Sequence, residues 1–405
     1  MKRPMTNAML VAAGGLLYIA LGVYSGRTSI NGGLGPEGPI YAAMITVHDL
    51  QGGTVSNRVW PAFPLAAAVP YAITGNVAGA FALVDVAALL VLAFAACLLL
   101  DAHAAPLPIK MCAVLTLGVL GLPAAVTAFT PVQPYLLGVA MTTLAVAACE
   151  YTSIRPAHAG SWPILAAVHA GATLASPVGI MAPLYGLARS WRAKDRSTLA
   201  LAAALPGLVV WLLIQVWARG GPAGLLDLLR FSRVRSDAVL WTESAFLLFG
   251  AYFLLTALGG LSILLWSRPR RVQDALRERP ELWALLVPPL IFIATAGLEV
   301  PLMIAFLIPF WLIVIATWGR AQQAPLLVPA ILAGVMTVVT QHPWARTTDL
   351  SYFVDWFPYS VHAARVSGVT MSDAVLTGIW RVRVLAAAAG VVAFLVWWRR
   401  NVRQP

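Results

Sequence analysis

The chain has 405 residues, of which 60% are hydrophobic and only 11% charged, against roughly a quarter charged in an ordinary soluble domain. With a mean hydropathy of +0.81, this composition excludes a water-soluble globular enzyme and predicts an all-α polytopic membrane protein forming a single transmembrane domain over 1–405. The formal charge of +11 does not point to nucleic acid, because the cations gather in short connectors between apolar runs, where they act as orientation signals.

A helix needs about 20 apolar residues to cross ~30 Å of hydrocarbon. On that rule spans are predicted near 8–24, 77–100, 111–129, 134–150, 198–217, 243–266, 282–297, 301–318, 325–340 and 383–398. The first begins with Lys2 and Arg3 and lacks a small-x-small cleavage site, so it is expected to stay as an anchor. The cysteines Cys97, Cys112 and Cys149 lie inside apolar segments and form neither a disulfide framework nor a metal spacing.

The segment 162–188 is long enough for one helix or for two short ones broken at "SPVG", Ser176 to Gly179. Charge arbitrates between them. A break at Pro177 puts Lys2, Arg3, Lys110, Arg155, "RSWRAKDR" (189–196), "RPRRVQDALRER" (268–279) and "RRNVR" (399–403) on one side of the membrane. It gives about 12 transmembrane helices, two of them short and broken, in an inner (plasma) membrane with both termini cytoplasmic. The competing solution makes 60–74 a crossing and keeps 162–188 whole, at the cost of exposing Lys110 and Arg155 outside.

Three external loops follow, 25–76, 219–242 and 341–381. A bare scaffold needs only tight turns, whereas these carry Arg, Asp, Glu, His and Trp. In the first, "GPEGPIYAAMITVHDLQGG" (35–53) holds Glu37, Tyr41, His48 and Asp49. Pro39 suits a first helical turn and Gly52-Gly53 a stop, so a short amphipathic helix is expected over 39–47. The apolar stretch 60–74 is short and broken by Pro61, Pro64 and Pro70, which fits a helix lying in the membrane interface.

Glu37-Gly38-Pro39-Ile40-Tyr41 in the first external loop, followed by Trp60-Pro61-Ala62-Phe63 before an apolar helix, resembles the GT-C superfamily of polyprenol-phosphate-sugar-dependent glycosyltransferases, especially the mannosyltransferase type. Its members typically read Asp-x-x-x-Tyr and then Tyr-Pro-Pro; here Glu replaces Asp and Ala62 the second Pro. The segment 163–192 is similar to theirs in breaking between two apolar helices, with Ser176-Pro177 where a basic residue and Pro are usual. The resemblance covers about the first half of the chain. It implies a GT-C-like fold and transfer of mannose, or another pentose or hexose, from a polyprenyl-phosphate donor to a lipid or glycan acceptor at the external face.

That chemistry needs a base to take the acceptor proton, and one carboxylate suffices. Glu37 is the candidate base, with Asp49 next; a carboxylate at a helix start also serves simply to satisfy backbone N–H groups. A phosphate leaving group calls for cations, for which Arg58, the Arg230, Arg233 and Arg235 cluster, His342 and Arg346 are candidates, with Tyr41 and His48 as further substrate contacts. His48 beside Asp49 is too little to predict a metal, so no cofactor is assigned and a divalent ion stays open. Asp85, inside a span, His169 and Glu299 are weighed as pocket-lining or structural groups. The rival function is a secondary transporter or lipid-linked-sugar flippase, which commonly shows repeated halves that this chain lacks.

Overall fold

The computed structural model describes residues 2–25, 31, 34, 38–47, 58–107, 109–111, 113–114, 132–154, 162–192, 197–225, 269–295 and 305–319, with Leu385, Ala388, Val392 and Val396 as single helical positions. These residues are all-helical, with no strand among them. The helices are α1 (Lys2–Ser25), α2 (Gly38–Thr46), α3 (Ala62–Thr74), α4 (Val77–Ala102), α5 (Tyr135–Ile154), α6 (Trp162–Ala175), α7 (Met181–Arg192), α8 (Ser197–Ala218), α9 (Pro269–Glu278), α10 (Trp283–Thr295) and α11 (Ile308–Gly319). Short 3-10 turns, Pro177–Ile180, Pro280–Leu282 and Ala305–Leu307, lead into α7, α10 and α11.

Helix α4 is the axis of the bundle. Its 26 residues, rich in Ala, Leu and Val, reach ~39 Å at the helical rise. Asn76 starts it, accepting the Gly79 N–H on its side-chain oxygen at 2.9 Å. Gly75, at φ 64°, turns the chain out of α3 in the left-handed conformation that costs a residue without a β-carbon least. At the far end Ala104 takes the same conformation, φ 51°. There the N–H of Ala105 bonds the Leu100 carbonyl at 2.8 Å and that of Ala104 bonds Asp101 at 3.0 Å, the paired closure of a Schellman stop.

Neighbouring helices take their directions from contacts at the two ends of α4. Asn7, near the start of α1, donates to Asp101, near the end of α4, so these two helices are antiparallel. His103 and Glu150 meet just past the end of α4 and near the end of α5, so this pair is parallel. The segment 162–188 forms a hairpin: α6 stops at Ala175, Ser176 is extended and caps the following turn by accepting the Val178 N–H, and α7 returns. Gly179 permits the reversal, since a β-carbon there would lie 2.1 Å from the Ala172 carbonyl oxygen. The break expected at Pro177 is therefore present, and His169 on the way up faces Gly186 on the way back.

The interior is mainly apolar but also holds polar groups, and apolar side chains line parts of the surface. Asp85, Thr142, Thr143, Glu150, His169, Thr173, Ser176 and Gln215 are buried, while Met9, Leu16 and Val23 on α1 are exposed. So are Leu65, Val69 and Ile73 on α3 and Leu205, Val209, Leu212 and Leu213 on α8. These spacings line one stripe of each helix. Among the described residues, two helices are long and apolar enough to cross a membrane, Val77–Ala102 and Tyr135–Thr152, with shorter apolar helices around them. The expected spans 243–266 and 325–340, and most of 111–129 and 383–398, lie outside the described residues, so a count of twelve crossings is not established.

Candidate functional site

At the end of the bundle where α4 begins, the first loop folds into two helices. The short helix expected over 39–47 is α2, shifted by one residue, and the Pro-containing stretch 60–74 yields α3, only 13 residues long. An aromatic series ties them to α4. Tyr41 of α2, 1% exposed, meets Phe63 of α3 edge-on at 5.4 Å between ring centroids, and Phe63 meets Phe81 of α4 at 4.8 Å. Each such ring pair contributes about 0.5–1.5 kcal/mol beyond the area it buries. Met44, Ile45, Ala67, Ala80, Val84 and Val132 complete this small second core.

The tip of the α6–α7 hairpin reaches the same end. Trp60 packs on Tyr135 at 4.9 Å and on Phe306 at 6.3 Å. Gly138 is the notch where these meet the hairpin: a β-carbon there would come within 2.9 Å of both Ser176 and the Trp60 ring. Trp211 of α8 donates its indole N–H to the Pro177 carbonyl at 2.8 Å. Arg58, half-buried, enters just before Trp60.

Of the residues expected to act on substrate, Tyr41 and Arg58 are thus brought to one end of the bundle, Tyr41 with its ring committed to packing. Glu37, which directly precedes the first residue of α2 in sequence, lies outside the described residues. So do His48, Asp49, Arg230, Arg233, Arg235, Glu299, His342 and Arg346. Asp85, one helical turn beyond Phe81 on α4, is wholly buried, and neither carboxylate oxygen has a hydrogen-bond partner among the described residues. His169 is buried with Nε2 3.2 Å from the Cys149 sulfur, between Gly186 of α7 and Gly207 of α8. No group of three metal-ligating side chains occurs among the described residues.

The opposite end carries a charged network that the sequence reading did not single out. Glu150, fully buried, accepts from Arg279 Nη2 at 2.8 Å and from the Tyr185 hydroxyl, and pairs with Arg189 Nη1 at 2.9 Å. His103 Nε2 lies 2.8 Å from its other oxygen. A second carboxylate, Glu281, takes Arg279 Nε at 2.9 Å, Arg192 at 3.2 Å and Arg189 at 3.3 Å. Burial pushes the Glu281 carboxyl upward, but its own backbone N–H and the Arg279 and Arg192 guanidiniums outweigh that and hold it below the usual carboxylate range. Beside this network Asp101 pairs with Lys110. Three guanidiniums against two carboxylates, each carboxylate shared, make a structural clamp joining α4, α5, α7 and the turn into α10.

The signals for this network were present in part. Arg189, Arg192 and Arg279 fall in the basic runs read as orientation signals, and Glu150 ends a predicted span next to Arg155. No local rule pairs them across 129 positions. No family model, curated protein or solved structure matches this chain. The likeness to GT-C enzymes therefore rests on the motifs of the first half alone.

Proposed function

We propose that this chain is a multi-pass membrane glycosyltransferase of GT-C type, with its catalytic end at α2 and α3 and its charged clamp facing the cytoplasm. The membrane half of the reading rests on the apolar stripes at the surface of the bundle and the polar groups buried within it. Apolar stripes on α1, α3 and α8 face outward while carboxylates, hydroxyls and imidazoles are buried, the arrangement hydrocarbon favours and water does not. Orientation is read from the positive-inside rule: Lys110, Arg189, Arg192 and Arg279 gather at one end, which supports a cytoplasmic clamp and an external α2–α3 end.

The single observation that carries the catalytic half is the docking of α2 and α3, through Tyr41, Phe63 and Phe81, onto the external end of α4. Two short helices between a first anchor and a second span, the earlier one preceded by a carboxylate, suit a loop that holds a base beside lipid headgroups. Glu37 would take the acceptor hydroxyl proton as the anomeric carbon is attacked, and Arg58 would face the departing phosphate. Transfer from polyprenyl-phosphate sugars to lipid acceptors in proteoliposomes tests this. Wild type should turn over at least one such donor, and Glu37→Gln should abolish transfer while retaining its melting behaviour in detergent. Undiminished transfer in the variant removes the assignment.

A second reading, a transporter or flippase for a lipid-linked sugar, is favoured by the broken hairpin at Ser176 and the lone buried Asp85. It predicts donor movement between leaflets with no change in its chemistry, which the same proteoliposomes distinguish from sugar transfer.

A further inference from the structure

The clamp end of the bundle carries an outward surface that the sugar chemistry does not use. Helix α9 packs against the core through Val272, Ala275 and Leu276, which leaves its other face to solvent. Arg270, Gln273 and Arg277 stand exposed on that face at i, i+3 and i+7, the backbone positions of the two arginines about 10 Å apart along the axis. Neither is ion-paired among the described residues. Over its whole length α9 carries Arg270, Arg271 and Arg277 against Asp274 and Glu278, a small positive excess.

Two exposed tryptophans lie on elements at the same end of the bundle. Trp191, at the end of α7, is 90% exposed, and Trp283, at the start of α10, is 49% exposed. The neighbour of Trp191, Arg192, reaches Glu281 in the turn that links α9 to α10, so the three elements meet at one edge. Indoles this exposed are ill suited to bulk water, and guanidiniums at the same end of the bundle are available to an anion. They fit a membrane–water boundary, where the ring sits among glycerol groups and the cation meets a phosphate.

We infer that α9, with Trp191 and Trp283, is a binding surface for anionic phospholipid headgroups at the cytoplasmic leaflet, with Arg270 and Arg277 as the phosphate contacts. The inference rests on the membrane reading above and goes beyond it, because it concerns the end of the bundle remote from α2 and α3. A zwitterionic lipid offers a phosphate already balanced by its own ammonium and so attracts both charges less, and a soluble acidic partner would leave the indoles without an apolar layer to enter.

The test uses full-length protein in nanodiscs of phosphatidylcholine alone or with one quarter phosphatidylglycerol. Native mass spectrometry counts retained lipid, and melting is followed in parallel. Wild type should retain phosphatidylglycerol above its share of the bilayer and melt several degrees higher with it. Arg270→Gln combined with Arg277→Gln should lose at least half of that enrichment while melting as wild type in phosphatidylcholine, and Arg→Lys at both positions should keep it. Inorganic phosphate added in detergent should give no shift. Equal enrichment in wild type and the Gln pair, or a phosphate shift as large as that of the lipid, overturns the inference. Absence of the protein from membranes would instead overturn the reading on which it rests.

Discussion

Arg279 reaches back 129 positions to Glu150, its Nη2 donating to the buried carboxylate at 2.8 Å while its Nε holds Glu281 at 2.9 Å. One guanidinium thus bridges the end of α5 and the turn that opens α10. A charge with this little access to water depends on its partners: removing one leaves the other desolvated and only partly compensated by the rest of the clamp, at up to about 3–5 kcal/mol. Glu150→Ala and Arg279→Ala should each lower the melting midpoint in detergent strongly. The double variant should lose clearly less than the sum of the two singles, because both break the same contact. Additive losses would show that the two residues act independently.

Glu281 gives the clamp a pH dependence with a defined sign. Its folded-state carboxyl is held low, by guanidiniums and its backbone N–H acting against burial, so its contribution is present above the ordinary glutamate range near about 4.3 and is lost as pH falls through the lower folded value. Melting followed from pH 7 downward should show wild type losing stability below about pH 5. Glu281→Gln should start lower and fall less over that window. A parallel fall in both would assign the acid loss to other groups.

Asp85 is the reverse case, a buried carboxyl with no partner on either oxygen among the described residues. Such a group costs about 1–3 kcal/mol relative to one that is satisfied. Asp85→Val, of similar volume, should therefore melt no lower than wild type. If the residue serves the site under α2 and α3, the same variant should lose turnover while gaining stability, the exchange expected of a functional polar group inside a bundle. A variant that melts several degrees lower would show that Asp85 has a structural partner in solution.

Ala104 stops α4 in a backbone conformation that suits glycine. Ala104→Gly should raise the midpoint by the equivalent of about 0.5–1 kcal/mol, because the strain of a β-carbon at φ 51° is relieved while both closing hydrogen bonds stay. A lower midpoint would mean that the flexibility gained by the unfolded chain outweighs that relief.

What the sequence made legible follows from the range of each signal. Apolar run length marked α1, α4, α5 and α8 to within a few residues, save for the outer turns of α1, because helix is the only way a single segment satisfies its backbone in hydrocarbon. Proline and the distribution of cations together located the break at Ser176, which hydropathy alone would have smoothed into one helix. Pro39 and the glycine pair after it delimited α2. The aromatic series from Tyr41 to Phe81 was not legible, since nothing local says that Tyr41 turns inward to Phe63 rather than toward a substrate. Nor was the clamp: its arginines looked like solvated orientation signals, and Glu150, His103 and Tyr185 come together only through the packing of α4, α5 and α7.

The account stands or falls on which side of the membrane each end of the bundle faces. With Cys97, Cys112 and Cys149 replaced by Ala, single cysteines introduced by Glu37→Cys and, separately, Trp191→Cys would be probed with a membrane-impermeant maleimide in intact cells and again after permeabilisation. Position 37 should label in intact cells and position 191 only once the membrane is opened. Labelling of position 191 from outside, with position 37 reached only after permeabilisation, would put the carboxylate in the cytosol and contradict the proposed chemistry.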